Sequence, residues 1–400
     1  MADFIDENKR YLIAVSGGPD SMALLDMVYK TGAYLEVAHV NYHKRESADR
    51  DEKIVRNYCR ERKIVFHLFD FKEDEYEGNF QAAARQARYA FFSRVCKKNK
   101  LDEVLVAHHK DDLIETYLMQ KERKLGVSYF GLKERSVIAG VSVCRPLLKY
   151  DKKQLEKYCL LHEVVFGIDE SNLSDDYRRN LIRHHKVEKM SAEQKDELLK
   201  QIDVLNLRQE ERYQKALSHL NKKSYTIKQF VKIPYLKVWF HRHFSHRSDL
   251  YFQDMLKQLS QADSCLFTGD DVCIAKEYGR ISVFVKPIDY EYKFKTLREL
   301  KDFECEHFRF SDQGEKIESI FIKNEDLPIT IRTYRKGDSI AMGFGHKKIN
   351  RFFIDRKFKM KDRLSWPLVF NRQGKLIFVP SLGCDINHYC EKPNIFMIKL

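Results

Sequence analysis

Short apolar runs alternate with amphipathic stretches over the first half of the chain. The short runs predict β-strands and the stretches with apolar residues three and four apart predict helices. The predicted strands span residues 11–16, 34–41, 63–71 and 103–109, and the predicted helices span residues 20–30, 47–62, 79–98 and a stretch from about residue 112. Strands that alternate with helices imply an α/β domain over residues 1–190: a Rossmann-like parallel sheet with helices on both faces.

The pattern changes after about residue 185. Ser191 and Gln194 form a predicted capping box, and the apolar stripe that follows indicates a linker helix over residues 191–224. Residues 225–318 mix aromatic and basic positions and predict a mixed helical middle domain. Residues 319–400 contain short strands and turns, which predicts a small β-rich C-terminal domain.

Composition narrows the class of protein. The apolar share of 43% is ordinary for a globular chain, and no apolar run is long enough to span a bilayer, so we expect no membrane partner. The first residues are acidic and lead directly into a strand, unlike a signal peptide. Nine scattered cysteines without a C-x-x-C pair are typical of reduced thiols. Together these features predict a cytoplasmic protein.

The net charge of +13 favours a polyanionic partner such as nucleic acid, although charge alone is weak evidence. Basic residues concentrate between Arg332 and Arg363, where a charged surface would grip a phosphate backbone without reading sequence. Tyr334, Phe344 and Trp366 are candidates for stacking on unpaired bases, or else belong to the core. The stretch 239–247 is either a second RNA surface or an amphipathic helix.

The string Ser16-Gly17-Gly18-Pro19-Asp20-Ser21 follows the first strand and opens a helix. Two glycines let the backbone approach an anion closely, and a helix N-terminus favours negative charge. The string is neither a Walker A loop nor a dinucleotide fingerprint. Its alternative interpretation is a plain capped turn, but the full string in this context favours a nucleotide-phosphate site. Asp20 is a candidate Mg²⁺ ligand.

Two further clusters carry candidate chemistry. Asp112 and Glu115 share one helix face, where they either hold a cationic ligand and accept a proton or simply stabilise the helix N-terminus. Arg179 and Arg183 either hold phosphate or form a solvated basic face, and Arg85 with Arg88 has the same ambiguity. His108 and His109 lack a third spaced ligand, which favours a structural or nucleotide-contact role over a metal site.

The glycine-rich string resembles the pyrophosphatase loop of the N-type ATP-pyrophosphatases, and later motifs are similar to those of the tRNA(Ile)-lysidine synthetases. These motifs are His39-Val40-Asn41 with Arg45, Asn79 to Arg85 with Arg88-Tyr89, Ala107 to Thr116, Asp169 to Asn172 with Arg179-Asn180 and Arg183, Arg335 to Asp338, Lys347-Lys348, Asp355 to Lys357, and Arg363. Tyr42 stands where that family often has histidine. The resemblance covers both ends of the chain and leaves roughly residues 225–320 undiagnosed.

The resemblance implies an ATP-dependent ligase that adenylates the wobble cytidine of the CAU anticodon of isoleucine tRNA. Free L-lysine then displaces AMP to form lysidine, which changes codon specificity from AUG to AUA. On this interpretation the first domain is catalytic, the middle and C-terminal domains bind tRNA, and ATP and Mg²⁺ are the cofactors. The oligomeric state is left open, with a homodimer among the alternatives.

The resemblance also distributes the site residues. The catalytic set is Asp20, Asp112, Glu115, Arg179 and Arg183; the ATP-binding set is Ser16, Gly17, Gly18, Pro19, Asp20, Ser21, His39 and Asn41; the lysine-binding set is Asp111, Asp112 and Glu115; and the tRNA-binding set is Arg85, Arg335, Lys336, Lys347, Lys348, Lys357 and Arg363.

Three alternatives remain at this point. A related thiolating enzyme would need cysteine pairs, which the sequence lacks. A catalytically silent RNA-binding protein would not need the intact loop and carboxylate pair. A small-molecule amidotransferase such as GMP synthetase needs an ammonia source and leaves the basic C-terminal region unexplained.

Overall fold

The computed structural model describes residues 5–43, 47–71, 80–122, 127–167, 178–245, 247–343 and 345–400. The chain forms two compact units, Met1–Glu211 and Arg212–Leu400. The predicted four-segment division is finer than this and stays a prediction.

The first unit follows the predicted alternation of strands and helices. Its strands are β1 (Arg10–Ala14), β2 (Tyr34–Asn41), β3 (Val65–Asp70), β4 (Glu103–Val106), β5 (Arg135–Ile138) and β6 (Val141–Cys144). Its helices are α1 (Pro19–Tyr29), α2 (Ser47–Glu61), α3 (Phe80–Asn99), α4 (Lys110–Glu122), α5 (Lys152–Leu161) and α6 (Arg178–Ile182), which continues into a π-helical turn, Arg183–Val187.

The six strands form one sheet in the order β3-β2-β1-β4-β6-β5. All neighbours pair in parallel except β5, which runs antiparallel at the edge. Ile13 of β1 lies beside Val37 of β2 and Leu105 of β4, and these residues pack with α1, α2 and α5 on one face. Leu12 and its neighbours pack with α3 on the other face. The predicted sheet with helices on both faces is therefore confirmed.

The β5–β6 hairpin and α5 were not predicted. The hairpin turns at Ala139 and Gly140, both at positive φ, which is the backbone of a tight two-residue turn. Each strand has only four residues, too few for an alternating pattern to stand out. β6 nevertheless extends the parallel sheet beyond β4.

The linker helix α7 spans Ala192–His219. The predicted capping box precedes it, because the Ser191 hydroxyl accepts from the Gln194 backbone N–H while the Gln194 side chain accepts from the Ser191 N–H.

The second unit begins with short helices and an antiparallel sheet. The helices are α8 (Ile227–Phe230), α9 (Leu236–His243) and α10 (Asp249–Gln261), and the strands β7 (Cys265–Thr268), β8 (Val272–Glu277) and β9 (Arg280–Val285) form a three-stranded sheet. Trp239, Phe240 and Phe252 anchor their common core. The predicted helical middle region is confirmed.

The rest of this unit is rich in strands. These are β10 (Glu291–Phe294), β11 (Glu304–Cys305), β12 (Phe308–Ser311), β13 (Ser319–Ile320), β14 (Ile329–Thr333), β15 (Ser339–Met342), β16 (Gly345–Lys348), β17 (Pro367–Phe370), β18 (Leu376–Val379), β19 (Gly383–Cys384) and β20 (Ile395–Lys399). Short helices accompany them: α11 (Leu297–Lys301), α12 (Ile349–Asp355) and α13 (Met360–Leu364). The strands form a five-stranded sheet, a four-stranded sheet and the β15–β16 hairpin. The predicted β-rich C-terminal region is confirmed.

In the described part of the chain, no helix has the length and apolar character needed to cross a bilayer.

Candidate functional site

A cavity of about 750 Å³ opens at the carboxyl ends of β1 and β4 in the first unit. In parallel sheets this edge is the usual ligand-binding edge, because strand-to-helix loops converge there. The cavity wall includes Ser16, Gly18, Pro19, Asp20, Ser21, Ala38, Val40, Tyr42, Arg88, Tyr89, His108, His109, Asp111, Asp112, Lys152, Glu156, Gly167, Arg183 and Glu188. Most of the predicted catalytic and phosphate-binding positions are thus brought to one cavity.

The loop from Ser16 to Ser21 is organised around a serine pair. The Ser21 hydroxyl accepts from the Ser16 N–H at 3.1 Å and donates to the Gly18 carbonyl at 3.0 Å. Helix α1 starts with Pro19, and no side chain caps it at Gly18. The backbone N–H groups of its first turn, at the cavity, therefore lack a capping side chain. This arrangement is suited to an anion such as pyrophosphate.

Gly17 is required by its backbone and by its neighbours. Its φ is +95°, and an added Cβ would lie 2.8 Å from Cβ of Asp51. Its carbonyl accepts from the Gly167 N–H at 2.8 Å. Gly167 also packs on Asp51, so the two glycines and Asp51 form a close contact that fixes the back of the loop.

His109 lies between two carboxylates in the cavity. Its Nε2 is 3.7 Å from Asp20 Oδ2 and 3.5 Å from Asp112 Oδ2, while its Nδ1 is 3.3 Å from the Asp111 backbone N–H. Burial raises the pKa of Asp20, against the opposing effect of His109. Burial also opposes ionisation of Asp112, but His109, Arg179 and the hydrogen bond from the His109 backbone N–H outweigh it and lower the pKa of that carboxyl. Asp112 is therefore held as a carboxylate.

Asp112 and Glu115 form a buried ion-pair cluster with two arginines. Arg179 donates from Nη2 to Asp112 Oδ1 at 2.6 Å and from Nε to Glu115 Oε2 at 2.7 Å. Arg183 donates from Nε to Glu115 Oε1 at 2.6 Å. The shared helix face predicted for the two carboxylates is confirmed, and the structure adds that each carboxylate has a guanidinium partner.

Glu115 differs from its expected position. Its side chain is fully buried, it does not line the cavity, and both of its oxygens accept from guanidinium groups. The geometry does not support direct contact of Glu115 with lysine. Arg179 also stays behind the cavity wall, whereas Arg183 and Asp112 reach it.

Two lysine–aspartate ion pairs connect the start of α4 to the start of α7. Lys195 Nζ lies 2.7 Å from Asp111 Oδ1, and Lys110 Nζ lies 2.8 Å from Asp196 Oδ1. In each helix the lysine directly precedes the aspartate, and each lysine forms its ion pair with the aspartate of the other helix. Asp111 lines the cavity but is already paired with Lys195. The sequence interpretation missed this role of Lys195.

His39 and Asn41 do not reach the cavity. Ala38, Val40 and Tyr42 line it, and because side chains alternate along a strand, His39 and Asn41 face α2. His39 Nδ1 is 2.8 Å from the Val15 carbonyl, and Asn41 donates to Asp49 and Glu52. Burial lowers the pKa of His39, so it is a neutral donor that supports the strand before the loop. The expected side-chain contact of these residues with ATP is not supported.

The described residues contain no cluster of three or more histidine, cysteine, aspartate or glutamate side chains that could hold a metal by themselves. Asp20 Oδ1 nevertheless is buried at the cavity wall, and it has no hydrogen-bond partner among the residues that the structure describes. A buried carboxylate oxygen without a partner is unfavourable. Asp20 therefore fits a cation whose other ligands are phosphate oxygens and water.

The basic residues predicted in the C-terminal region fall into two groups. Arg335, Lys336, Lys348 and Lys357 are exposed, and Lys347 is half-buried 3.7 Å from Asp355. Arg363 differs, because its guanidinium donates to the Phe358 carbonyl and pairs with Glu277 at 3.4 Å. Only 14% of its side chain is exposed, so direct tRNA contact by Arg363 is not supported.

Aromatic residues considered for stacking mostly belong to cores. Trp366 is buried and donates from Nε1 to the Pro380 carbonyl, and Tyr334 packs against the same core. In the stretch 239–247, Trp239, Phe240 and Phe244 are buried, which favours the amphipathic-helix interpretation. In the first unit, Arg85 is an exposed residue of α3 outside the cavity wall.

Several positions named in the sequence analysis lie outside the described residues: the motif positions Arg45, Asn79 and Asp169 to Asn172, and the stacking candidate Phe344. Other cavity residues carried no predicted role. Glycine 167 and Lys152 are examples, because neither a lone glycine nor a lone lysine gives a sequence signal.

Two known domain families match this chain. A PP-loop domain matches residues 1–190, and the TilS substrate C-terminal domain matches residues 329–395. The first match contains the whole cavity described above.

Curated relatives extend the similarity over most of the chain. The tRNA(Ile)-lysidine synthase of Mycoplasma mycoides is 32% identical over 395 residues, which is 93% of this chain and 97% of that protein. The enzyme of the same name from Bacillus licheniformis is 29% identical, over 93% of this chain and 88% of that protein. That of Ureaplasma parvum is 46% identical, but the alignment spans only 44% of this chain and 54% of the relative.

Proposed function

The chain belongs to the tRNA(Ile)-lysidine synthase family, and from this premise we propose how its cavity forms lysidine on tRNA(Ile). The activity is that of a ligase of the PP-loop ATP-pyrophosphatase type. The observation that carries the proposal is a single cavity that joins the serine-glycine loop to the Asp112 carboxylate and the Arg183 guanidinium.

ATP binds with its phosphates at the loop from Ser16 to Ser21. The glycine backbone admits close approach, and the uncapped start of α1 supplies N–H groups and a favourable dipole. Pyrophosphate is the leaving group when an oxygen of the wobble cytidine attacks the α-phosphate. His39 and Asn41 support this loop from the opposite face of β2 and do not contact the nucleotide.

Asp20 would hold Mg²⁺ beside the loop that binds the phosphates of ATP. When bound, the ion would neutralise phosphate charge and aid departure of pyrophosphate. The partnerless buried oxygen of Asp20 supports this role, and its ionised form is the one that the cation would favour.

Arg179 and Arg183 stabilise charge that develops during adenylation, with Arg183 at the cavity wall and Arg179 behind it. Asp112 and Glu115 fix both guanidiniums in advance, so little reorganisation is needed in the transition state. Glu115 is therefore proposed as a positioning residue for this pair.

Free L-lysine is the second substrate. Asp112, ionised and at the cavity wall, attracts its side-chain ammonium group, and Asp111 adds negative charge nearby. The ammonium group loses a proton to a carboxylate of this cluster. The free amine then attacks the adenylated cytidine, AMP leaves with the bonding electron pair, and lysidine results.

The tRNA with a CAU anticodon is held by exposed basic residues. Those of the C-terminal region are Arg335, Lys336, Lys347, Lys348 and Lys357, and Arg85 contributes from α3. Contacts of this kind fix position and leave sequence reading to other groups. A cytoplasmic location is part of the proposal; all nine cysteines are free thiols, as such a location requires.

The test uses purified full-length protein, ATP, Mg²⁺, labelled lysine and an unmodified isoleucine tRNA transcript with a CAU anticodon. We expect label in the tRNA that depends on ATP and disappears when the wobble cytidine is replaced by uridine. The Asp20→Asn variant should lose pyrophosphate release and the Asp112→Asn variant should lose lysine transfer. Folded wild-type protein that releases pyrophosphate but never transfers lysine would refute the lysine assignment.

A further inference from the structure

Arg145, which follows β6, is buried behind the cavity. Only 4% of it is exposed. Its guanidinium donates from Nη1 to the Lys133 carbonyl at 2.8 Å and to the Ser136 hydroxyl at 3.0 Å. In the described part of the chain no carboxylate lies within ion-pair distance of it. A buried arginine whose acceptors are neutral is costly, so its position calls for a function.

Arg145 also forms side-chain hydrogen bonds with Tyr89 and with His108. Its Nε lies 3.2 Å from His108 Nδ1. A guanidinium has only donors, so Nδ1 of His108 must offer its lone pair and cannot carry a proton. The proton of the neutral ring is then on Nε2. His108 lines the cavity at the end of β4, beside Arg88 and Tyr89 of α3.

We propose that Arg145 is a positioning residue that locks His108 in its neutral Nε2–H form, so that His108 is a permanent hydrogen-bond donor to an uncharged acceptor of a bound nucleobase. This inference rests on the proposed function for the identity of the ligand. The acceptor is a ring nitrogen of adenine, or a ring nitrogen or the carbonyl oxygen of cytosine, so an uncharged base acceptor is the shared chemistry. A phosphate would be served better by a charged imidazolium.

The surroundings of His108 support this state. Burial lowers its pKa to about 3, and the cations of Arg145, Arg179 and Arg88 act in the same direction. Among the described residues, Asp112 of α4 is the charged group that most favours protonation of His108. At pH values well above 3, His108 is therefore neutral. It is not a proton carrier in the reaction, although histidine usually titrates near pH 6.5.

The decisive measurement is the long-range ¹H–¹⁵N NMR spectrum of full-length protein labelled with ¹⁵N-histidine, with the His108 signals assigned by their loss in a His108→Gln variant. We expect the Nε2–H form and no titration between pH 5.5 and 8. The Arg145→Lys variant keeps a donor and should keep this form. The Arg145→Met variant should show a mixture of tautomers or a titrating ring.

Kinetics supplies a readout that loss of packing alone would not move. Arg145→Met should lower activity about 2- to 10-fold, because part of the His108 rings then carry the proton on Nδ1 and cannot donate from Nε2, whereas Arg145→Lys, which keeps a donor, should retain most of the wild-type activity. His108→Gln retains a donor near the position of Nε2 and should exceed His108→Ala. A changed KM for ATP in pyrophosphate exchange would assign the acceptor to adenine, and a changed KM for tRNA would assign it to cytosine.

A wild-type His108 that titrates in this range, or that carries its proton on Nδ1, would overturn the inference. This outcome needs only the wild type and the His108→Gln protein used for the assignment, so it does not depend on the folding of any Arg145 variant. Absence of lysine transfer alongside a neutral Nε2–H ring would instead sink the proposed function and leave the role of Arg145 intact.

Discussion

Positive charge is held in two different ways in the two units of the chain. In the first unit, Arg179 and Arg183 are each held by buried carboxylates at 2.6–2.7 Å. In the second unit, Lys336, Lys348 and Lys357 are exposed. A buried pair has one geometry and a high cost of disruption, whereas exposed charges act additively through a screened field. Single substitutions should therefore act strongly in the first unit and weakly in the second.

The largest effect should come from Glu115→Gln. Glu115 accepts from both arginines and is fully buried, so its loss removes the anchor that the two guanidiniums share. We expect lysine transfer to fall about 100- to 1,000-fold, measured as the initial rate of labelled lysine incorporation. Glu122→Gln is the matched control, because Glu122 pairs with Arg178 and Lys186 at the exposed end of the same helix. A Glu115→Gln enzyme with near wild-type turnover would show that the buried cluster is not needed.

The second-largest effect is on tRNA binding and requires several lysines to be replaced together. The triple variant Lys336→Gln, Lys348→Gln, Lys357→Gln should bind tRNA about 10- to 100-fold more weakly. The slope of log affinity against log salt should shrink by about 2, because each lost phosphate contact removes roughly 0.7–0.9 from it. Turnover at saturating tRNA should stay unchanged, since these residues are not part of the cavity. Filter binding over a salt series makes the measurement, and reduced turnover with intact affinity would contradict it.

Arg363 sharpens the comparison, because it is a buried arginine in the second unit. Its bonds to Glu277 and the Phe358 carbonyl predict that Arg363→Gln destabilises this unit. A loss of about 1.5–3 kcal/mol corresponds to a drop of about 3–10 °C in Tm. The salt dependence of tRNA binding should not change. Lys361→Gln, an exposed neighbour on α13, is the control. An altered salt slope with unchanged Tm would return Arg363 to the tRNA-binding set.

The smallest expected effect is that of Asp20→Asn, which should raise Tm, whereas Arg363→Gln should lower it. Burial raises the pKa of Asp20, so its stabilising contribution is complete below the unfolded pKa and is lost as pH rises through the folded value. At pH 7.5 the ionised group therefore costs folding free energy. Without ATP or Mg²⁺, Asp20→Asn should raise Tm slightly at pH 7.5, and the difference should vanish near pH 4. A lower Tm at pH 7.5 would show that Asp20 has a stabilising partner in the free enzyme.

The α/β fold could be predicted from the sequence because the patterns that indicate its strands and helices lie within short stretches of the chain. β2 is eight residues long and contains Tyr34, Val37 and Val40, which have strong β propensity, and the predicted range 34–41 matches the structure. The β5–β6 hairpin was missed, because four-residue strands depend for their identity on pairing with β4 and not on their own pattern. The phosphate-binding loop was equally local, since its glycines and helix start are consecutive.

The ion-pair partners within the site could not be predicted from the sequence. Nothing in the spacing of Asp112, Glu115, Arg179 and Arg183 says that they meet, because more than sixty residues separate the carboxylates from the arginines. The orientation of His39 and Asn41, by contrast, could have been predicted from the alternation of side chains along a strand. Once residues 38, 40 and 42 face one side, His39 and Asn41 must face the other. Arg363 looked like its exposed neighbours, and only its contact with Glu277 separates it from them.

The sequence by itself determined the first four strands with the helices between them, the glycine-rich loop and the excess of positive charge, because each depends on neighbouring residues or on totals. The tertiary structure alone decided which charges are paired and which are free. It turned Glu115 into an anchor for two arginines and Arg145 into the partner of His108. The physical reason is that desolvation and hydrogen bonding act between groups brought together in space, and distance along the chain does not carry that information.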